Sequence, residues 1–433
     1  MESTVSRRDF VKGSAAVAAG VATSLASPRA RGANERIRAG YIGVANRGGQ
    51  LIKASQPHEN LEIGAVCDVY KPIMEQRAQE LGGVQQYDDF RQMLENKDID
   101  AIFIATPDHW HAIQSIMACE AGKDVYCEKP LSMTIVEGRK MVEAARRTKR
   151  IVQVGTHRRS SELLEKLHQL VREDAIGKVS VGHCYRLSNM WPEGIGKLED
   201  SPPPEGLDWD MWLGPRAEQP FRANIAPYKF RWWQNYSSQV GNWGVHYMDM
   251  FRWMVDEEAP VSVSAHGGRF AVDDDRTIPD TMEVIFEFAS GRLLIFGQYE
   301  ASGYAMMPGE IDLRGTKGIC YASERFFEFI PERDGQFQKA DPRMEPMKVT
   351  DTTGNHDLTV DHIGNFLECI KSRELPKADV EIGHRSTSFS LLANIALATR
   401  SRIDWDPVAE RVTNNEKANE LLHYEYRTPW TLG

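Results

Sequence analysis

The stretch from residue 36 to residue 68, RIRAGYIGVANRGGQLIKASQPHENLEIGAVCD, decides the fold of the first half of the chain. It opens with a short apolar strand, Ile37 to Gly43, and a glycine-containing turn follows at once. A helix from about Gln50 leads to a second apolar strand, Leu61 to Cys67, which ends at Asp68. Strand, turn, helix, strand and terminal carboxylate in this register predict a βαβ unit whose helix start binds a phosphate through backbone N–H groups.

This unit predicts a Rossmann domain that binds a dinucleotide. Residues of the turn are expected to hold the pyrophosphate: Gly43, Ala45, Asn46, Arg47 and Gly48. The turn departs from GxGxxG at Ala45, whose methyl group limits the closest backbone approach. Asp68 is expected to accept hydrogen bonds from the adenosine ribose. Because its carboxylate repels a 2′-phosphate, NAD is expected as cofactor rather than NADP, although Arg47 could partly offset that repulsion.

The alternation of strands and helices continues beyond this unit. Residues 101–105, AIFIA, are an apolar run typical of a buried parallel strand, and residues 106–111, TPDHWH, follow it. The next strand, near residues 125–127, leads into Glu128-Lys129-Pro130. Ligands of open parallel sheets bind beyond the carboxyl ends of the strands. The residues expected beside the cofactor are therefore Thr106, His111, Glu128 and Lys129.

These two segments are specific enough to indicate a family. A strand ending in Thr-Pro with His111 four positions after the proline, and then Glu-Lys-Pro after the following strand, resembles the Gfo/Idh/MocA family of glucose-fructose oxidoreductase and inositol dehydrogenase. The resemblance covers essentially the whole chain after its leader. It implies a sugar oxidoreductase in which Lys129 is catalytic and lies beside the nicotinamide and the reacting hydroxyl.

The second half of the chain carries strand-like runs separated by short turns. They are residues 179–187, 261–266, 282–288, 293–299 and 318–322. Closely spaced strands of this kind predict a largely antiparallel sheet. The expected fold class is an α/β Rossmann domain at residues 34–157, followed by an α+β domain at residues 158–433 with a large open, mostly antiparallel sheet. The resemblance implies that this sheet assembles the protein into a homodimer or homotetramer.

Residues 241–253, GNWGVHYMDMFRW, predict a helix with polar residues on one face, among them Asn242, His246 and Asp249. The matching family helix reads Asp-x-Gly-x-His-x-x-Asp, which implies that His246 is the acid/base acting on the substrate hydroxyl. Asn242 and Asp249 are then expected at the substrate. An amide at position 242 can orient a group but lacks the charge that would raise the histidine pKa. His157 stands where the family usually has an asparagine near the substrate.

Tryptophan usage favours a carbohydrate substrate. Seven of the ten tryptophans lie between residues 191 and 253, and a pyranose ring packs its C–H face on an aromatic ring. Trp209 and Trp212 are expected in the core. The run at residues 230–234, FRWWQ, is the better candidate for a sugar platform, with Trp233 and Arg231 as substrate contacts.

The N-terminus predicts export. Residues 6–12, SRRDFVK, form a paired-arginine signature ahead of a small apolar run at residues 15–26, which is too short to span a bilayer comfortably. Residues 1–33 are therefore expected to be a twin-arginine signal peptide that exports the folded protein, to the periplasm or otherwise out of the cytoplasm. No later segment is long and apolar enough to predict a membrane span.

Charge and cysteine content narrow the partners. The formal net charge of −10 disfavours nucleic acid and anionic membranes as main partners. The six cysteines are scattered without CxxC or metal-like spacing, so free thiols and no metal site are expected.

Three functions fit this sequence. The first is an NAD-dependent oxidoreductase that transfers hydride at a sugar hydroxyl. The second is an NAD-dependent glycosidase, in which transient oxidation at C3 acidifies the C2 proton, elimination breaks the glycosidic bond, and the product is reduced again. The third is an inert sugar-binding envelope protein that kept the fold.

Overall fold

In the computed structural model, residues 36–333, 335–337, 342–354 and 356–433 are described. The leader expected at residues 1–33 lies outside them. Alternating strands and helices fill the first part of the described chain, and the second part is built mainly on one broad sheet. The six cysteines are buried free thiols. None of the helices among the described residues is both long and apolar enough to cross a membrane.

The first sheet has six parallel strands in the order β3-β2-β1-β4-β5-β6. They are β1 (Ile37–Ile42), β2 (Leu61–Cys67), β3 (Gln85–Tyr87), β4 (Ala101–Ile104), β5 (Asp124–Cys127) and β6 (Val152–Val154). The strand order reverses between β1 and β4, and ligands of doubly wound sheets bind at this switch point. The connecting helices are α1 (Asn46–Ser55), α2 (Lys71–Glu80), α3 (Phe90–Glu95), α4 (His111–Glu120) and α5 (Ile135–Thr148).

The apolar sequences of the central strands match their burial in the sheet. Strands β4 and β5 are buried at every position, as expected for parallel strands covered by helices on both faces. Separate apolar clusters fill the two faces of the sheet. On one of them, Tyr41, Phe103 and Tyr126 stack across neighbouring strands.

The second sheet has ten strands in the order β14-β13-β12-β11-β7-β10-β9-β8-β15-β16. They are β7 (Val179–Leu187), β8 (Ser262–Gly268), β9 (Thr281–Glu287), β10 (Leu293–Tyr299), β11 (Ile311–Gly315), β12 (Gly318–Ala322), β13 (Phe326–Pro331), β14 (Met347–Thr350), β15 (Ile403–Asp406) and β16 (Arg411–Val412). Strands β7 and β10 pair in parallel, and the other pairings are antiparallel. This confirms the expected fold class.

Helices α6 (Glu162–Arg172), α8 (Val245–Met254), α10 (Val380–Thr399) and α11 (Glu416–Asn419) pack on the apolar core of this sheet. Helix α9 (Leu358–Ser372) packs instead on an apolar cluster of the first sheet, and α7 (Trp209–Leu213) belongs to a separate small cluster. Helix α8 follows directly on a π-helical turn, Val240–Gly244, and packs with α10 on the main apolar core. Single π turns are frequent at functional sites because they re-aim side chains. Here the turn carries Asn242 toward the end of β5.

Candidate functional site

A cavity of about 510 Å³ lies over the carboxyl ends of β1, β2 and β4. Its size is in the range of cofactor pockets. Among the predicted cofactor residues, those lining it are Gly43, Ala45, Asn46, Arg47, Asp68 and Thr106. The opposite wall consists of residues from the second half of the chain, between positions 204 and 231.

The turn after β1 is shaped for close packing. Gly43 has φ +79°, and a Cβ at Gly48 would lie 1.8 Å from the Gly43 carbonyl oxygen. Among the described residues, no side chain caps helix α1 at Ala45, which precedes the helix and lines the cavity. Uncapped N–H groups at a helix start facing a cavity are suited to bind a pyrophosphate. The residues present therefore fit a dinucleotide.

Asp68 is fixed at the end of β2. Its Oδ2 accepts a hydrogen bond from Val44 N at 2.8 Å, and its Oδ1 accepts one from Tyr70 N at 3.0 Å. Burial raises the pKa of Asp68, and these backbone donors partly offset that effect. Each carboxylate oxygen can accept more than one hydrogen bond, so Asp68 retains capacity for ribose hydroxyls in the cavity it lines.

Arg47 and Glu128 form an ion pair beside the cavity. Arg47 Nε lies 2.7 Å from Glu128 Oε1, and Glu128 Oε2 accepts from Lys129 N at 3.2 Å. Burial acts to raise the pKa of Glu128, but the Arg47 and Lys129 charges outweigh it and the pKa is lowered. The two residues thus tie the helix start to the Glu-Lys-Pro turn. The Arg47 guanidinium donates hydrogen bonds to Glu128, Gln50 and Thr359, so these donors are not available to a 2′-phosphate.

His111 joins two loops instead of lining the cavity. Its Nδ1 lies 2.8 Å from the Pro130 carbonyl oxygen, and its Nε2 lies 3.0 Å from that of Thr106. Because carbonyl oxygens only accept, both ring nitrogens must carry protons, which makes the ring an imidazolium. Burial alone would lower the pKa of His111, but Cys127, Asp108 and the Pro130 carbonyl raise it to about 10. His111 therefore positions the loop of Lys129.

Lys129 and Asn242 connect the two halves of the chain. Lys129 Nζ donates to the backbone oxygen of Asn242 at 2.7 Å and to its Oδ1 at 3.0 Å. Burial lowers the pKa of Lys129 to about 8, although Glu128 opposes this effect. A neutral amine has two N–H donors and one lone pair. If both donors stay on Asn242, the lone pair is left for a proton of a bound substrate.

His246 and His157 form a second pair. Their rings meet edge to face with centroids 5.2 Å apart. Neither Nδ1 has a hydrogen-bond partner among the residues that the structure describes. Burial, together with the Arg158 and Lys129 charges, puts the pKa of His246 well below its usual value. His246 is therefore a neutral hydrogen-bonding imidazole at neutral pH.

Asp249 occupies a different environment from the one expected. It is 1% exposed, and Arg159 Nε lies 3.0 and 2.9 Å from its two carboxylate oxygens. Ser386 Oγ donates to the same carboxylate at 2.5 Å. A buried, fully paired carboxylate is not free to bind substrate. We assign Asp249 to anchoring α8 rather than to substrate contact.

The aromatic run at residues 230–234 also differs from the expected platform. Trp233 Nε1 donates to the Asn224 carbonyl at 2.8 Å, and its ring packs on an apolar cluster that contains Trp212 and Phe230. Arg231 lines the dinucleotide cavity and stacks over Tyr228 with its guanidinium carbon 4.3 Å from the ring centre. Burial lowers the pKa of Arg231. Trp233 therefore supports the cavity wall, and Arg231 faces the cofactor side.

Sequence reasoning missed two carboxylates near this site. Asp108 is buried, accepts from Ser237 Oγ at 2.5 Å, and acts electrostatically on His111 and Lys129. Glu324 lies 3.8 Å from His157 Nε2, and this histidine is the main cause that lowers the pKa of Glu324 to about 2. Asp108 belongs to the segment TPDHWH at residues 106–111, which is itself a motif. Glu324 lies in a turn far along the chain, and no motif surrounds it.

Both halves of the chain are similar to one family of oxidoreductases. Residues 37–156 match the oxidoreductase family with an NAD-binding Rossmann fold, and residues 164–432 match the C-terminal alpha/beta domain of the same family. Residues 4–24 match the twin-arginine translocation signal, so the protein is exported by that route.

Similar proteins include both dehydrogenases and glycosidases. The chain is 22% identical over 375 residues to myo-inositol 2-dehydrogenase of Thermotoga maritima, covering 86% of this chain and 99% of that protein. It is 29% identical over 174 residues to glycosyl hydrolase family 109 protein 1 of Shewanella sp. (strain ANA-3), covering 34% of this chain and only 38% of that protein.

A solved complex of levoglucosan dehydrogenase with NADH and levoglucosan has the same fold, with a TM-score of 0.65 and 17% identity over 86% of this chain and 99% of that one. The family matches to both halves span most of the described residues. The chain therefore belongs to the Gfo/Idh/MocA family of NAD-binding oxidoreductases.

Proposed function

We propose that the protein oxidises or reduces a hydroxyl group of a sugar or sugar derivative, with NAD as hydride carrier and Lys129 as the acid/base. The observation that carries this proposal is the double hydrogen bond from Lys129 Nζ to Asn242, combined with a lysine pKa of about 8. A general base works best when its pKa lies near the operating pH. The lysine is therefore held in a suitable orientation and close to a suitable protonation state.

Different residues bind the cofactor, transfer the proton and orient the substrate. The α1 N-terminus and Asp68 hold the dinucleotide, which when bound supplies hydride chemistry at its nicotinamide. Lys129 removes the hydroxyl proton during oxidation and returns it during reduction. His246, neutral and 5% exposed, donates or accepts a hydrogen bond that orients the same hydroxyl. His157, beside it, contributes a further polar contact to the sugar.

NAD is preferred over NADP in this proposal. Asp68 and Asp88 both line the adenosine end of the cavity, so two carboxylates oppose a 2′-phosphate there. Arg47, the cation that could have offset this repulsion, is paired with Glu128. Titration of NAD and NADP into the same protein tests the preference directly.

A glycosidase remains the second candidate. Family 109 glycosyl hydrolases are among the similar proteins, and twin-arginine export favours an enzyme that recycles its own cofactor. In this scheme C3 is oxidised, a base removes the C2 proton, the glycosidic bond breaks with loss of the aglycone, water adds, and C3 is reduced again. Oxidation and reduction cancel over one cycle.

One experiment separates the candidate functions. The exported protein is incubated with aryl glycosides in deuterated water without added NAD, and aglycone release and C2 deuterium exchange are followed. A dehydrogenase gives keto-sugar and NADH in equal amounts without aglycone. A glycosidase gives sustained aglycone release, deuterium at C2 and no net NADH. An inert binding protein does neither.

We also propose that the outer face of the ten-stranded sheet pairs two copies of the chain. Ile285, 45% exposed, lies opposite Ile295 in the β9–β10 pairing on this face. Ile295 is half-buried, and an apolar pair that is partly exposed on an open sheet favours self-association. Sedimentation analysis of the parent and of Ile285→Glu tests this: the parent is expected to sediment as a dimer or tetramer and the variant as a smaller species.

A further inference from the structure

The wall of the dinucleotide cavity that faces the first sheet is a single segment of the second half of the chain. We call residues 204–231 the strap. Strap residues lining the cavity include Pro204, Leu207, Phe221, Tyr228 and Arg231. Facing them across the cavity lie the turn after β1, Asp68, and Tyr70. The strap therefore covers the surface to which the adenosine half of a dinucleotide would bind.

The strap is attached to the first sheet on both sides of the cavity. On one side, Lys71 N donates to the Gly206 carbonyl at 2.9 Å, and Asp208 N donates to the Val69 carbonyl at 2.9 Å. Together with the bridge between Tyr70 and Leu207, these bonds extend the chain just after Asp68 into a short antiparallel pairing. The strap is thus bonded directly to the segment that carries the ribose-binding carboxylate.

On the other side, the strap is attached to the turn after β4. His109 Nε2 lies 2.9 Å from the Trp212 carbonyl oxygen, and Trp110 Nε1 donates to the same oxygen at 3.1 Å. Burial lowers the pKa of His109 to about 3, so the ring is neutral and its Nε2 carries the proton of this bond. Further out, Arg427 Nε donates to the Gly214 carbonyl at 3.0 Å and holds the strap from its outer side.

We propose that the strap binds the adenosine half of NAD and retains it as a slowly exchanging cofactor, released only when the Val69–Lys71 attachment opens. This rests on the proposed function, since it assumes that NAD occupies the cavity. Twin-arginine export agrees with it, because a folded protein can carry a retained cofactor out of the cytoplasm. Apolar strap residues such as Leu207 and Phe221 suit an adenine ring, and Asp68 suits its ribose.

Gly206 offers a sharp test. It has φ +82°, and a Cβ there would lie 2.9 Å from Pro72 Cδ, so Gly206→Ala pushes the strap away from the Val69–Lys71 segment. Gly196→Ala is the matched control, because Gly196 also has φ +82° but no atom of the described part of the chain lies within 4 Å of its added Cβ. Tyr228→Ala is a second variant, at an exposed lining position whose loss does not disturb the core.

One sample of the exported protein is denatured, and the NAD(H) that it releases is measured. NADH is bound to a second, folded sample, and its dissociation is followed by fluorescence after addition of excess NAD. The parent and Gly196→Ala are expected to release NADH slowly, and Gly206→Ala and Tyr228→Ala at least about tenfold faster, since changes at a binding surface act mainly on dissociation. Equal, rapid release from all four proteins overturns the strap proposal alone. No binding of NADH to the parent overturns the proposed function as well.

Discussion

Lys129 Nζ donates hydrogen bonds to both the backbone oxygen and the side-chain Oδ1 of Asn242, at 2.7 and 3.0 Å. This contact joins the Glu-Lys-Pro turn at the end of β5 to the π-helical turn before α8. The family pattern has an aspartate at position 242, so Lys129 here contacts an amide where that pattern has a carboxylate. An amide adds no negative charge that would stabilise the ammonium form. Burial therefore outweighs the opposing charge of Glu128, and the pKa of Lys129 falls to about 8.

Asn242→Asp should therefore move the pH profile of sugar oxidation to higher pH. A carboxylate at this distance favours the ammonium form and raises the Lys129 pKa by about 1–3 units. The pH dependence of kcat/KM is the measurement, with Asn242→Ala as the control that removes the amide without adding a charge. An unchanged profile in Asn242→Asp would show that another group controls the reaction.

Lys129→Met should abolish turnover while leaving the fold and the NAD content nearly intact. Proton transfer by a positioned base contributes roughly a hundredfold or more to the rate. The loss is measured as kcat, and circular dichroism and NADH fluorescence serve as controls for fold and cofactor binding. More than about a tenth of the parental activity would remove Lys129 from the chemistry.

Asp68→Ala should weaken NAD binding by about 1–3 kcal/mol, because a charged acceptor for the ribose hydroxyls is lost. Asp68→Asn is the matched variant, since it keeps the side-chain shape but removes the repulsion of a 2′-phosphate. Calorimetric titration with NAD and NADP should show a narrower NAD preference in Asp68→Asn. Unchanged binding of both cofactors by both variants would contradict our placement of the ribose.

The imidazolium of His111 should make stability fall as pH rises. Its pKa is raised in the folded protein from 6.5 to about 10, so its contribution is complete below pH 6.5 and is lost as pH rises through about 10. Between these values it adds a slope of at most about 1.4 kcal/mol per pH unit to the free energy of unfolding. Urea unfolding across this range should show a shallower slope for His111→Gln than for the parent.

His109→Gln provides the control for that experiment. The pKa of His109 is about 3, so it stays neutral between pH 6.5 and 10. Its replacement should lower stability by a similar amount at every pH in the range. Parallel curves for the parent and both variants would show that His111 is not an imidazolium.

Much of the fold could be predicted because most of its strands are short apolar runs bounded by turn residues, a pattern that is local in the sequence. Strands β2, β7, β10 and β12 begin and end where the sequence placed them. Strand β11 was missed because Asp312 interrupts its apolar pattern. In the structure that carboxylate is buried and lies 2.7 Å from His183 Nδ1, which makes it compatible with a strand. Helix α1 begins at Asn46, before the expected start near Gln50, because Gly48 lies inside its first turn and packs closely against Gly43.

The site could be predicted only where a motif carried it. Lys129 and Asp68 stand in segments whose order along the chain indicates their place. The pairing of Asp249 with Arg159, and the approach of Glu324 to His157, depend on contacts between segments that are far apart in sequence. No local pattern encodes these contacts. The contacts by which residues 204–231 reach Val69 and Lys71 likewise have no sequence signature, since they use backbone groups.

Hydride transfer at a sugar hydroxyl with Lys129 as base can be observed within a single turnover. The most direct measurement is a single-turnover experiment, in which NAD-loaded protein is mixed anaerobically with a panel of aldoses, cyclitols and pyranosides while NADH absorbance is recorded. We predict transient or lasting NADH formation with at least one of these compounds, slowed by deuterium at the reacting carbon and absent in Lys129→Met. If loaded protein forms no NADH with any of these compounds, the protein does not oxidise such sugars with NAD. If the Lys129→Met variant forms NADH at the parental rate, Lys129 is not the base.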